Sequence, residues 1–282
     1  MNRNQWIIFG IALLVAAALY AASEKQFFGP PKIKKPQFEI ANNQSQLSTD
    51  SVLFHAKQHL TADQFTRINF LEHSISRGDV QDQKLHIYHQ LAKFWGDTAK
   101  VFAPFAWYTA EAARLENSEK SLTFAARLFL DSLVEENDSQ LKQWEAFQAK
   151  DLFERSLKLN PDNDSSKVGL GETLLYGGIA MPMQGISLIR EVATKDSNNI
   201  YAQMSLGRAS LMSNQLEKAI EHFKKVVSLQ PDNIEAIFRV AEIAEQMGNK
   251  KEAVEWYTKV LPLINRADIK QEIETRIAEL KK

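Results

Sequence analysis

The sequence predicts an all-α chain built as a solenoid of stacked helical hairpins, and three observations carry that expectation. Through the C-terminal half a small residue recurs four positions before a bulky one. The pairs are Ala149/Phe153, Gly185/Ile189, Ala219/Phe223 and Ala253/Tyr257, with successive copies 36, 34 and 34 residues apart. A second series, Gly171, Gly207 and Ala241, keeps step with the first at spacings of 36 and 34. Composition agrees: 11 glycines and 8 prolines in 282 residues, many Ala, Leu, Glu, Lys and Gln, and no run of alternating β-branched residues leave little room for sheet. A period of this length suits hairpins that each bury one face against the next, and such arrays make surfaces rather than enclosed active sites.

Taken in order, the first element is apolar. Residues 4–23 carry no charge and are predominantly apolar from Trp6 to Ala22. About 20 residues rising ~1.5 Å each span ~30 Å, the hydrocarbon thickness of a bilayer. Residues 1–23 therefore predict a transmembrane anchor, with Trp6 and Tyr20 as interfacial aromatics. Arg3 and Ala21-Ala22-Ser23 also suit a cleaved secretory signal, which leaves a secreted soluble adaptor as an alternative. A lipoprotein is excluded, because the chain has no cysteine to acylate. Lys25, Lys32, Lys34 and Lys35 against Arg3 favour a cytoplasmic domain by charge, whereas so short an N-terminus favours export. The expectation is a single-pass, membrane-anchored protein with its soluble domain on the extracytoplasmic side. Residues 24–47, with Gly29-Pro30-Pro31-Lys32-Ile33-Lys34-Lys35-Pro36, read as a linker.

Residues 48–163 predict divergent hairpins. Two helices are expected within 48–77, from Val52, Leu53 and Ala56 and then Phe65, Ile68, Leu71 and Ile75, with a turn at Arg77-Gly78-Asp79. A third is expected over 84–95, its face being Leu85, Tyr88, Leu91, Ala92 and Trp95. Ala103, Trp107 and Ala110 repeat the small-bulky spacing, and Pro104 is tolerated there if it lies in a first helical turn. Asn117-Ser118 supplies a cap for a helix over 119–135. That helix and the next, about 139–159, make a hairpin longer than the others. About five hairpins are expected in all, the first two divergent.

The regular units are 164–199, 200–233 and 234–265. Pro161 and Pro231 stop the helices that precede them. Two extra residues fall in the segment from Tyr176 to Pro182, whose glycines and proline predict a longer inter-helix loop. Residues 266–282 predict an amphipathic capping helix, with Ile269, Ile273, Ile277 and Leu280 on one stripe and a Lys/Glu-rich face for solvent.

The phased positions resemble the tetratricopeptide repeat (TPR) pattern of W-x2-L-G-x2-Y, then A-x3-F, then P. The resemblance covers roughly residues 84–265 and is most specific after about 149. It implies a right-handed superhelical solenoid that binds a peptide or helix of another protein along the groove made by the first helix of each hairpin. Carried over position by position, it implies partner-binding roles for Tyr176, Tyr201, Met204, Arg208, Met212, Phe238, Arg239 and Glu242, with Val168, Glu172 and Glu235 on the same face. Aromatic and methionine side chains with interspersed charge suit such a ligand. Arg208 and Arg239 could equally pair with Glu172 or Glu242 inside the solenoid. Chaperone-binding members hold a C-terminal carboxylate with Lys, Asn and Arg; the matching positions here are Val168, Glu172, Ser205, Glu235 and Arg239. Only Arg239 fits.

Other classes find less support. A formal net charge of −1 lacks the basic excess of a nucleic-acid surface. His55/His59 at i, i+4 and His86/His89 at i, i+3 could each share a metal, the basis of an alternative reading as a metal-dependent enzyme. No H-E-x-x-H motif completes either pair, and no Gly-Lys-Ser/Thr follows Gly169-Leu170-Gly171 or Gly177-Gly178. The expectation is no enzyme, no cofactor and no metal: a membrane-tethered scaffold for another protein. Phe94, Trp95, Phe102, Phe105 and Trp107 exceed what two small hairpins obviously bury, which adds a possible homo-oligomer.

Overall fold

Thirteen α-helices and no strand occur among the residues that the computed structural model describes, 47–77 and 81–282, all within one unit, Gln46–Lys282. They are α1 (Thr49–Lys57), α2 (Ala62–Arg77), α3 (Gln81–Lys93), α4 (Phe102–Glu116), α5 (Glu119–Glu135), α6 (Ser139–Leu159), α7 (Asp164–Tyr176), α8 (Pro182–Lys195), α9 (Ile200–Met212), α10 (Leu216–Leu229), α11 (Ile234–Gln246), α12 (Lys250–Val260) and α13 (Ala267–Leu280). From α3 onward they pair as hairpins: α3 with α4, α5 with α6, α7 with α8, α9 with α10, and α11 with α12. The last helix, α13, packs on α12.

The expected anchor is corrected here. No helix among the described residues is long and apolar enough to cross a membrane. Residues 1–23, on which the single-pass reading and its extracytoplasmic placement rested, lie outside the described residues, as does most of the 24–47 linker and the Gly78-Asp79 turn.

Local chemistry explains the regular helices. Asn163, Asn199 and Asn233 cap α7, α9 and α11, each side chain accepting from the backbone N–H three residues on at 2.8 or 2.9 Å. Such a cap stabilises by about 1 kcal/mol. The three asparagines repeat at spacings of 36 and 34, a regularity the Pro-Asp-Asn motif shows only twice. Pro182 opens α8 at its first position, after a loop in which Gly178 takes φ +66°.

The phased small residues are points of closest approach. A Cβ on Gly185 would stand 2.2 Å from the Gly171 carbonyl oxygen, and one on Gly171 would stand 2.8 Å from the Gly185 oxygen. The α7 and α8 backbones therefore touch. The bulky partners Phe153, Ile189 and Phe223 are fully buried. Phe153 reaches out of its own hairpin to cover Gly169 of α7, so one residue joins the divergent and the regular parts. Beside it, the hydroxyls of Thr123 (α5), Ser156 (α6) and Ser166 (α7) form a closed triangle with sides of 2.8 to 2.9 Å.

At the N-terminal end the structure departs from the expected helix over 84–95. That helix stops at Lys93, and a π-helical turn, Phe94–Ala99, follows, ending on Lys100 at φ 55°. Neighbours on an α-helix point about 100° apart; the wider turn lets Phe94 and Trp95 both enter the core, edge to face at 5.6 Å. They pack with Ile68, Leu71, Leu91 and Tyr108, with Phe105 and Trp107 partly buried against this cluster. Glu72 of α2 accepts from Lys57 at 2.5 Å and from the Tyr108 hydroxyl at 2.6 Å. The aromatic surplus behind the homo-oligomer expectation is thus taken up by α1 and α2, leaving Phe102 exposed.

Glu145 on α6 is a buried carboxyl with one bond, from Ser132 at 2.8 Å, and an Oε2 without a partner. Burial pushes it up to about 7 from an ordinary 4.5. The folded state then holds the proton more tightly than the unfolded one. The contribution of Glu145 to stability is fully present below pH 4.5 and is lost as pH rises through about 7. Glu145→Gln should abolish that decline and raise the unfolding free energy at pH 8 by about 2 kcal/mol. Urea titrations of both proteins at pH 5 and pH 8 measure it.

Candidate interaction groove

The first helices of four successive hairpins, α5, α7, α9 and α11, line a groove of about 980 Å³. The α5 wall presents Arg127, Leu130, Asp131, Val134 and Glu135; α7 gives Ser165, Glu172 and Tyr176; α9 gives Tyr201, Met204 and Arg208; and α11 gives Glu235 and Arg239. The register follows from the packing. Glu172 and Arg208 come directly after Gly171 and Gly207, so the glycine sits against the paired helix while its successor turns toward the groove.

A buried carboxylate organises the floor. Glu172 is 5% exposed, and it accepts from the Tyr201 hydroxyl at 2.5 Å, from Ser205 at 2.6 Å and from Arg208 at 3.5 Å. Arg208 also grips Glu235 with two parallel bonds, Nε to Oε1 at 2.9 Å and Nη2 to Oε2 at 2.8 Å. The bidentate geometry fixes the guanidinium plane. Three helices are tied in one network. Burial, then the charge of Glu172, pushes the Tyr176 phenol up to about 12, and the same causes raise Tyr201. Both remain neutral donors at physiological pH. Arg127 lies over the Tyr201 ring at 4.7 Å and donates to Ser165 at 3.2 Å, a cation–π placement.

The eight residues picked out by the repeat pattern divide. Tyr176, Tyr201, Met204, Arg208 and Arg239 meet in this groove. Phe238 and Glu242 instead line a second cavity of about 1050 Å³, with Tyr257 of α12 and one face of α13. Met212 lines neither and stands exposed at the end of α9. Met204 is mostly buried, and Phe238 packs edge to face on Tyr257 at 5.7 Å. Val168 is not on the face at all: it is fully buried with Ile189 and Val192. Of the two readings left open for the arginines, the structure holds internal pairs, Arg208 with Glu235 and Glu172, and Arg239 with Glu242 at 2.8 Å. The α5 wall was missed, although Ala126-Arg127 repeats the small-then-charged order of Gly171-Glu172. Of the two histidine pairs, the second bonds elsewhere: the Gln90 amide donates to His86 at 2.8 Å, and His89 contacts Glu116 at 3.2 Å.

Residues 210–270, which contain α10 to α12, match the tetratricopeptide repeat family model. No curated protein matches the chain. Among solved structures it is similar to PilF of Pseudomonas aeruginosa, at 15% identity over 71% of this chain and 85% of that one, with a TM-score of 0.50. It is also similar to MamA (41-end) from Desulfovibrio magneticus RS-1, at 24% identity over 66% and 96% of the two chains and a TM-score of 0.46. YrrB, described as a TPR protein with an unusual peptide-binding site, aligns at 15% identity over 73% and 97%, with a TM-score of 0.43. The PilF likeness bears on the fold alone. It agrees with an all-α, TPR-like solenoid.

Proposed function

We propose that the protein is an interaction scaffold that holds a peptide or helix of another protein in the groove of α5, α7, α9 and α11. The observation that carries this reading is the Glu172–Arg208–Glu235 network, which fixes the floor side chains of three hairpins before any ligand arrives. A groove so ordered loses little further freedom on binding, which favours affinity. Around the fixed floor, the half-buried phenols of Tyr176 and Tyr201 and the exposed Val134 offer apolar contact next to charge. That mixture suits a peptide.

Photo-crosslinking in the native cells tests the reading, with probes in place of Val134 and Arg239 on opposite walls and a control probe at the exposed Phe70. The expected result is one dominant adduct shared by both groove positions, absent from the control, and mapping to one segment of the partner. A folded protein that gives no shared adduct would overturn it.

A further inference from the structure

The charges of the groove are not those of the chain. The whole sequence balances 34 basic against 35 acidic residues. The groove and the second cavity adjoin at α11, where the Arg239–Glu242 pair straddles them. Across both, four arginines (Arg127, Arg208, Arg239, Arg276) face nine carboxylates, and no lysine lines either.

Three of those arginines are already used. Arg208 holds Glu172 and Glu235, Arg239 holds Glu242, and Arg276 holds Glu245 and Glu279. Arg127 is spent on the Tyr201 ring and Ser165. What remains is acidic. Asp131 and Glu135 at one end and Glu272 at the other are exposed and have no ion-pair or hydrogen-bond partner among the described residues. Each end also offers an apolar neighbour: Val134, 51% exposed, beside Glu135, and Ile269 one turn before Glu272.

Resting on the reading above, we propose that the occupant is a basic amphipathic segment, with Lys or Arg side chains placed over Asp131/Glu135 and over Glu272 and apolar residues between. The complementarity is one of sign and position. An acidic segment would meet unpaired carboxylates at both ends, and repulsion of this kind selects against wrong partners. Exposed charges also make the attraction depend on salt.

The test uses the full chain and two fluorescent peptides of equal length, one of alternating Leu and Lys and one of alternating Leu and Glu. The triple variant D131K/E135K/E272K changes only unpaired exposed side chains, so folding is retained. The control E217K/E221K/E255K makes the same net change on α10 and α12, away from the groove. The Leu/Lys peptide should bind the unaltered chain and the control equally, and the groove variant about tenfold more weakly, the summed loss of three modest exposed pairs. Raising the salt concentration should narrow that gap. Equal loss in control and groove variants would mean attraction to net charge and overturn the proposal. A crosslinked partner segment that is acidic or uncharged would also overturn it, while leaving the groove reading standing. Crosslinks to a second copy of this chain support it only through a Lys- or Arg-bearing segment, and otherwise count against it.

Discussion

Glu172→Ala should lower the unfolding free energy by about 3 kcal/mol, the cost of deleting a buried carboxylate that accepts three hydrogen bonds. The carboxylate is 5% exposed and takes hydrogen bonds from Tyr201, Ser205 and Arg208. Removing it orphans the Tyr201 hydroxyl, at ~1–3 kcal/mol when left unsatisfied, while Ser205 keeps the Tyr201 carbonyl at 2.9 Å. Arg208 retains Glu235 and so is not stranded, which sets an upper bound on the loss. Urea unfolding followed by circular dichroism measures the change. Glu172→Gln separates charge from shape. It can still accept from one hydroxyl, and it should recover about half of the lost stability. A full-sized loss in the glutamine variant would place the effect in the charge and not in the hydrogen bonds.

Gly185→Ala is the second large effect, expected at about 3 kcal/mol of destabilisation. Alanine is the better helix former by about 1 kcal/mol, so propensity alone predicts the opposite sign. Packing decides, because the new methyl would lie 2.2 Å from the Gly171 carbonyl oxygen and 2.9 Å from the Leu175 nitrogen. Both are backbone atoms, and neither can turn aside; α7 and α8 must separate. Gly207→Ala provides the comparison. Its methyl would meet the Phe223 ring at 2.8 Å, a side chain that can tilt, so its cost should be about half as large. Chemical denaturation of the two variants side by side tests the ordering, and equal stability of Gly185→Ala and the unaltered protein would refute the backbone contact.

These contacts show which features a single sequence exposes. Gly171, Gly185 and Gly207 were legible because a position that admits at most a methyl group recurs wherever two helices touch at the same depth. The helix α13 was legible from the stripe of Ile269, Ile273, Ile277 and Leu280, of which Ile273 and Ile277 are buried. The α5 wall was hidden by arithmetic. α6 runs for 21 residues, which puts Ala126 and Gly171 45 apart in place of 34 or 36, and a search at one period passes over it. The partners of Arg208 were open for another reason. Glu172 and Glu235 lie 36 and 27 residues away along the chain, so the pairing depends on how hairpins stack and not on one helix's periodicity. The π-helical turn left no signal at all, since Phe94 and Trp95 read equally well as the end of an ordinary apolar stripe.

The triangle of Thr123, Ser156 and Ser166 has a mechanical consequence. Arrays of this kind resemble springs joined end to end, each unit sensing only its neighbours, and they tend to peel open one unit at a time. Parting α7 from the hairpin of α5 and α6 would break a ring in which each hydroxyl can both donate and accept, before water could reach its buried members. Separation at this joint should therefore cost more than at a seam held by apolar contact alone. The groove crosses the same joint, from Arg127 on α5 to Ser165 at the start of α7. An occupant of the proposed kind should therefore leave the spacing of α5 and α7 unchanged on binding.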